Sequence, residues 1–261
     1  MIVLLSCIQN SWKWDHIRTH WLIPSKIPYV ILVGNPNIPR TSYMYDASSH
    51  VLQVGCADNY DELVYKIMYG ISAIVELFDP IYLFKIDDDV VINVPLLHRF
   101  MQSNSNLFNE VEDQDQLTPT NIPQIDSTVA SPYESSLNIL YGGVKVDITK
   151  RYTTPTNCHD KYICSKNKTP ITISNMSYCG GPIYFLKKPA MNVLSQHMDP
   201  NLIVFEDVNV GKTLGENGIH PVDLPLYTND FADFTQNKCI GWHDVNREHT
   251  QNIFVKNPKL V

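Results

Sequence analysis

Apolar positions in this chain alternate between strand spacing and helix spacing. Ile2 to Leu5 is a short apolar run that predicts a core strand, the Trp14 to Trp21 region predicts a helix, and Tyr29 to Val33 followed by Gly34 predicts a second strand with a turn. Leu63, Ile67, Ile71, Ile74, Val75 and Phe78 then recur at helical spacing. Asp58 or Asn59 can cap that helix, and Asp61 and Glu62 favour its first turn. Tyr82 to Asn93 follows, an apolar strand pattern that ends in three consecutive carboxylates, Asp87, Asp88 and Asp89. Pro95 then sits where a helix start tolerates it, ahead of an apolar face of Leu96, Leu97, Phe100 and Met101. Alternating strands and helices predict an α/β domain.

From Gln102 to about Ser136 the composition turns to Asn, Gln, Ser, Asp, Glu and Pro, which predicts an exposed, partly disordered insertion at about 102–136. Its acidic residues Glu110, Glu112, Asp113 and Asp115 read as solubilising. Beyond it, Asn138 to Gly143 and Ser177 to Leu186 combine paired glycines with strand-forming residues; such pairs mark a turn, a bulge or a close approach of backbone to a ligand. The pair Glu206-Asp207 follows the apolar Leu202 to Phe205 and opens a stretch read as a helix. With no internal repeat and no clear linker, a single domain over 1–261 is expected.

The chain has 261 residues, is 44% hydrophobic and carries a formal charge of −7. That charge argues against a sequence-independent nucleic-acid binder, whose affinity comes from clustered Lys and Arg. No segment is long and apolar enough for a membrane helix, and the N-terminus has no basic leader, so a cytoplasmic location is expected, with a chain trimmed of a membrane anchor as the alternative. Six cysteines are expected to be reduced thiols. A zinc reading of Cys158-His159-Asp160 with Cys164 lacks a second tight Cys pair.

Unpaired carboxylates are expensive to bury, so three at a strand terminus imply a cation, a ligand or open solvent. In open α/β sheets, ligands bind at the carboxyl ends of strands, and alternate residues of extended backbone share a side, so Asp87 and Asp89 can act together. Two hard oxygen donors suit Mn2+ or Mg2+ bound with a phosphate group. Glu206 and Asp207 are either dipole partners of a helix N-terminus or, in a closed site, a general base.

Taken together, these blocks resemble the β-1,3-glycosyltransferase family that includes β-1,3-galactosyl- and N-acetylglucosaminyltransferases and the Fringe enzymes. Ile17-Arg18-Thr19-His20-Trp21 looks like the family's I-R-x-T-W element and Ile31 to Gly34 like its second strand. Asp58, Tyr60, Leu63 and Lys66 match its D-x-Y-x-N-L-T-x-K segment, and Lys85 through Asn93 match K-x-D-x-D-x-x-x-N. Tyr178, Cys179, Gly181 and Tyr184 resemble Y-C-S-G-x-G-Y-V, and Glu206 to Gly211 resembles E-D-V-Y-V-G, with Gly218-Ile219-His220-Pro221 following at the family's spacing.

The resemblance implies a GT-A fold, a Rossmann-like mixed sheet flanked by helices, with a D-x-D motif at a strand end. It implies an inverting, metal-dependent transferase that moves galactose or N-acetylglucosamine from a UDP-sugar to a hydroxyl of a glycan or glycoprotein acceptor, forming a β-1,3 linkage. Carried over by position, Asp87 and Asp89 would hold Mn2+ (or Mg2+), with Asp89 the more direct ligand and His243 the candidate third. Asp88, Arg18, Lys66 and Gly181 fall on the donor side, Asp207 would be the base and Glu206 its positioning partner. His243 read alone is a surface histidine, and Arg18 and Lys66 read alone are structural ion-pair partners.

Three departures stand out. Ile183 replaces the second glycine of the family's S-G-x-G-Y block, Gly180 its serine, and Asn209 the tyrosine of E-D-V-Y-V-G, so donor-sugar contacts are expected to differ. The family's membrane anchor and stem are absent from the chain as given, which fits a viral or microbial member acting outside the secretory pathway. Two other readings compete: a glycan-binding protein with a degenerate transferase fold, and a metal-dependent phosphoesterase. The sequence leaves acceptor recognition to variable loops, among them the insertion and Arg151 to Met176.

Overall fold

The run Ile2–Leu5, buried at every position, becomes strand β1, and Tyr29–Gly34 becomes β2 alongside it in parallel, Leu4 opposite Ile31. Such near-continuous apolar strands suit a sheet covered on both faces. The structure is a computed structural model and describes residues 1–104, 139–149, 152–153, 172–173, 175–200 and 205–243. Most of the insertion expected at about 102–136, most of the Arg151 to Met176 segment, and Cys158 and Cys164 lie outside those residues.

The remaining strands are β3 (Tyr43–Asp46), β4 (Val51–Val54), β5 (Tyr82–Asp87), β6 (Val90–Ile92), β7 (Tyr141–Ile148), β8 (Tyr152–Thr153), β9 (Thr172–Ile173), β10 (Met176–Lys187), β11 (Val222–Asp223), β12 (Tyr227–Thr228) and β13 (Gly241–His243). Eight of them form one mixed sheet in the order β11-β7-β10-β5-β1-β2-β4-β3, with β10 antiparallel to both β5 and β7. A small sheet, β12-β13-β6, continues past the end of β5, and β8 pairs with β9. The predicted α/β class with a Rossmann-like mixed sheet is what the chain adopts.

From β1 the chain proceeds to β2 and β4 on one side of the sheet, then returns to place β5 on the other side of β1. The carboxyl ends of β1 and β5 therefore flank a topological switch point, the place where open α/β sheets leave a crevice for ligands. One sheet face carries the helices Leu63–Phe78, Lys188–His197 and Glu206–Glu216, packed over Val3, Val30, Leu32, Leu83 and Tyr184. The other is covered by Trp14, Ile17, Trp21, Leu97 and Phe100 over Leu4, Ile31 and Phe84.

Local departures from the sequence reading have identifiable causes. The expected helix over Trp14 to Trp21 is a longer helical run: a 3-10 segment Ile8–Lys13, α-helix Trp14–Ile17, a π turn Arg18–Leu22 and α-helix Ile23–Ser25. Ile23 N–H reaches back five residues to Arg18 O, and the next residue, Pro24, has no N–H to offer the ladder. Of the two candidate caps, Asn59 accepts from Glu62 N–H, and Asp58 is engaged elsewhere. Asn93 caps the helix Val94–Ser103 through Leu96 N–H, with Pro95 in the first turn as expected. No helix among the described residues is long and apolar enough to cross a membrane.

Candidate active site

At the switch point lies a cavity of about 590 Å³ whose walls come from three connections: Ser6, Cys7, Gln9 and Asn10 after β1, Asp58 to Asp61 before the helix Leu63–Phe78, and Asp87 to Asp89 after β5. The described lining residues hold five aspartates against one lysine, Lys66. Lys66 is buried and committed. Its ammonium lies 2.6 Å from Asp58 Oδ1 and donates to Ser6 O at 2.8 Å. Asp58 also accepts from Gly34 N–H and Ile8 N–H, so the pair ties β2, the 8–13 segment and the long helix together beneath the cavity.

The three consecutive carboxylates have three different surroundings. Asp88 is saturated by protein donors: its Oδ2 accepts from Ser6 Oγ at 2.6 Å and Asn10 Nδ2 at 2.8 Å, and its Oδ1 lies 3.2 Å from Lys13 Nζ. Trp14 Nε1 in turn donates to Ser6 Oγ. Asp88 thus bolts the acidic turn to the segment after β1 while lining the same cavity. Asp87 turns back toward the sheet, with its Oδ1 2.6 Å from Lys85 Nζ. Burial outweighs that attraction and, helped by Asp89 and Glu206, pushes its carboxyl up to about 7.

Lys85 is the hub of the site. In the middle of a strand that is otherwise apolar, its buried ammonium donates to Gly181 O at 2.5 Å, pairs with Asp87 and lies 3.5 Å from Glu206 Oε2. Burial opposes its charge, but Asp87 and Glu206 more than compensate and raise its pKa. Glu206 accepts a short hydrogen bond from Tyr184 OH. Asp207, next to it at the start of the helix Glu206–Glu216, accepts from Gly181 N–H at 3.1 Å and Val208 N–H at 2.8 Å. Burial and the neighbouring Glu206 carry its carboxyl up to about 6, against Lys85 and those two N–H groups. A carboxylate so tuned takes up a proton near neutral pH, as a general base must.

Gly181 reaches both partners because β10 is interrupted there. Between Cys179, opposite Lys145, and Tyr184, opposite Gly143, β10 advances five residues while β7 advances two. The bulge Gly180-Gly181-Pro182 frees the Gly181 peptide from the ladder, with Pro182 placed where no N–H is required. The glycine pair of the sequence is thus a bulge that turns its backbone to the site, both its N–H and its C=O taken up by side chains of the site.

His243 ends β13, which pairs antiparallel with β6 so that His243 is opposite Val90. Its Nε2 lies 3.7 Å from Asp89 Oδ1, and its Nδ1 meets Asn229 Oδ1 at 3.1 Å. With Nδ1–H donating to that amide oxygen, Nε2 presents either a proton or a lone pair to the Asp89 carboxylate. An imidazole nitrogen and a carboxylate oxygen facing each other in this way fit a divalent cation such as Mn2+. No group of three or more His, Cys, Asp or Glu ligands is preassembled among the described residues, so a cation held here takes further ligands from what binds with it.

The structure therefore brings together Asp87, Asp89, Glu206, Asp207, Gly181 and His243 around the end of β5 and the mid-strand bulge of β10, with Lys66 in the cavity floor. Arg18 is not among them: it bonds Asp15 and the backbone oxygen of Ser49, and its guanidinium lies 6.0 Å from the Trp14 ring. Ile183 and Asn209 are buried, the first against Gly241 and the second bonded to Asp199 O and Thr213, so these two departures alter packing. Lys85, Tyr184 and Tyr227 carry no role in the sequence reading. A lone lysine inside an apolar strand run was a usable signal for the first; Tyr227, on a two-residue strand, offered none.

Among solved structures, the chain is similar to a glycosyltransferase involved in the glycosylation of the major capsid of PBCV-1, at 12% identity and a TM-score of 0.44 over 98% of each chain. It is also similar to 4-diphosphocytidyl-2C-methyl-D-erythritol synthase, at 8% identity and a TM-score of 0.39 over 85% of this chain and 87% of that one. No curated protein sequence matches it. The family model described as Galactosyltransferase matches residues 13–225, a span that takes in the π-turned helix, the acidic strand end, the β10 bulge and the Glu206-Asp207 helix start, and the chain belongs to that family.

Proposed function

We propose that this glycosyltransferase is an inverting, metal-dependent enzyme that transfers galactose or N-acetylglucosamine from a UDP-sugar to a hydroxyl of a glycan or glycoprotein, forming a β-1,3 linkage. The observation that carries this reading is the convergence of the β5 carboxylates and the Glu206-Asp207 pair on one strand end, joined through Lys85. A cavity with five aspartates and one committed lysine repels a diphosphate, so such a donor needs a cation to enter. Asp89 and His243 would hold that cation, which when bound neutralises charge on the departing diphosphate. Asp87, held on Lys85, keeps the strand end in place beneath them.

Asp207 takes the proton of the acceptor hydroxyl as that oxygen attacks the anomeric carbon from the side opposite the leaving diphosphate. The Gly181 and Val208 N–H groups fix the orientation of its carboxylate, and Glu206, fixed by Tyr184 and Lys85, holds the base in a negative field that favours proton uptake. Calorimetric titration of UDP with Mn2+ and with EDTA, alongside Asp89→Asn, tests the donor site. Metal-dependent binding that is lost in the variant is expected. Absence of UDP binding under both conditions, with retained affinity for glycans, would replace the transferase reading by a glycan-binding one.

A further inference from the structure

Gly180 and Tyr227 are fitted to each other. Gly180 opens the bulge of β10, and a Cβ placed on it would fall on the Tyr227 hydroxyl oxygen, well inside contact distance. Tyr227 is fixed from two directions: β12 pairs in parallel with β13, Tyr227 opposite Gly241, and its ring meets that of His243 edge-on with centroids 6.2 Å apart. The phenol therefore lies over the bulge, close enough to Asp207, Lys85 and Asp87 to feel their charges. No described residue is hydrogen-bonded to its hydroxyl.

On the reading above, the reacting sugar must lie between the base, Asp207, and the groups that hold the leaving diphosphate, Asp89 and His243. Tyr227 stands between those same two sets, touching His243 on one side and the Gly180 backbone on the other. A phenol both donates and accepts hydrogen bonds, which suits it to a sugar hydroxyl or acetamido group. We propose that Tyr227 is a specificity-determining residue whose hydroxyl hydrogen-bonds the sugar being transferred, from the space that a side chain at residue 180 would otherwise fill. This rests on the transferase reading and deepens it. It also gives the family's missing serine at residue 180 a physical counterpart: the hydroxyl is supplied from across the bulge, and only glycine leaves room for it.

The test uses the full chain and two variants. Tyr227→Phe keeps the ring and its edge contact with His243 but deletes the hydroxyl; Gly180→Ala keeps the hydroxyl but displaces it. UDP binding with Mn2+ is measured by calorimetry, and UDP release from UDP-galactose and UDP-N-acetylglucosamine gives kcat/KM for each sugar. Both variants are expected to bind UDP within about twofold of the parent, while kcat/KM for the preferred sugar falls about 10- to 100-fold and the ratio between the two sugars narrows. An equal fall for both sugars, or an unchanged ratio, with UDP binding intact overturns the role of Tyr227 and leaves the transferase reading standing. A parent protein that neither binds UDP with Mn2+ nor releases it from either sugar overturns both.

Discussion

Lys85 and Glu206 face each other 3.5 Å apart with side chains that are 1% and 3% exposed, one in the middle of a strand and the other at the first residue of a helix 121 positions later. This is the contact through which the two acidic halves of the site depend on each other. The ammonium has Asp87 on its other side and donates to Gly181 O, so removing it leaves the buried Glu206 and the partly exposed Asp87 without their shared cation. Lys85→Met is expected to cost about 3–5 kcal/mol of unfolding free energy. Adding Glu206→Gln to that variant is expected to return part of the loss. Equilibrium urea unfolding measures both, and a single variant within about 1 kcal/mol of the parent would show that Lys85 is not the hub.

Asp207 gives a pH signature with a defined sign. As the proposed base it must be ionised, and its carboxyl is pushed up to about 6, so transfer is expected to fall on the acid side with a limb near pH 6. The same shift acts on stability in the opposite sense. A carboxyl raised above its unfolded value of 3.8 favours the folded state when protonated, and that contribution is lost as pH rises toward 6. Asp207→Asn should therefore abolish transfer, leave UDP binding intact, and raise the melting temperature more at pH 7.5 than at pH 5. Transfer that survives in this variant would remove Asp207 from the base role.

Asp88 has a structural role that can be separated from ligand binding. Three donors from the segment after β1 converge on it, so Asp88→Ala leaves Ser6, Asn10 and Lys13 without their shared acceptor. A loss of about 1–3 kcal/mol is expected, visible by thermal melting in the absence of any nucleotide. Asn at this position keeps one acceptor oxygen and should fall between the parent and the alanine variant. Unchanged melting with weakened UDP binding would instead return Asp88 to the ligand.

Much of this site was legible before the structure because its groups sit at the ends of strongly patterned elements. The acidic turn follows a six-residue strand whose apolar pattern is unmistakable, and Glu206-Asp207 stands out as a carboxylate pair after an apolar run, at what proves to be a helix start. What periodicity cannot see is which way a side chain turns. Asp58 and Lys66 belong to one sequence segment, yet their pairing under the cavity is set by β2 and the 8–13 segment, which donate to the same carboxylate. Arg18 shares a family motif with the site and still turns away, to Asp15 and Ser49. His243 and Tyr227 come from strands of three and two residues, too short for any pattern, and only the small β12-β13-β6 sheet brings them to the acidic turn.

That small sheet makes the metal hypothesis testable from the histidine side. His243 reaches Asp89 only because β13 pairs with the strand that begins immediately after it, His243 opposite Val90, and Asn229 holds the far nitrogen of the ring. If the cation is bound by both groups, Asp89→Asn should abolish Mn2+-dependent UDP binding. His243→Ala, which leaves the carboxylate in place, should weaken it about 10- to 100-fold, and removal of Asn229 as Asn229→Ala should weaken it less, since that residue only orients the ring. EDTA should bring parent and variants to the same low affinity. Calorimetry over a Mn2+ series separates these effects, because a lost ligand raises the metal concentration needed for half-maximal UDP binding. An unchanged requirement in His243→Ala would show that the ring packs against Tyr227 and pairs with Asp89 without touching the cation, leaving Asp89 to hold it with the diphosphate alone.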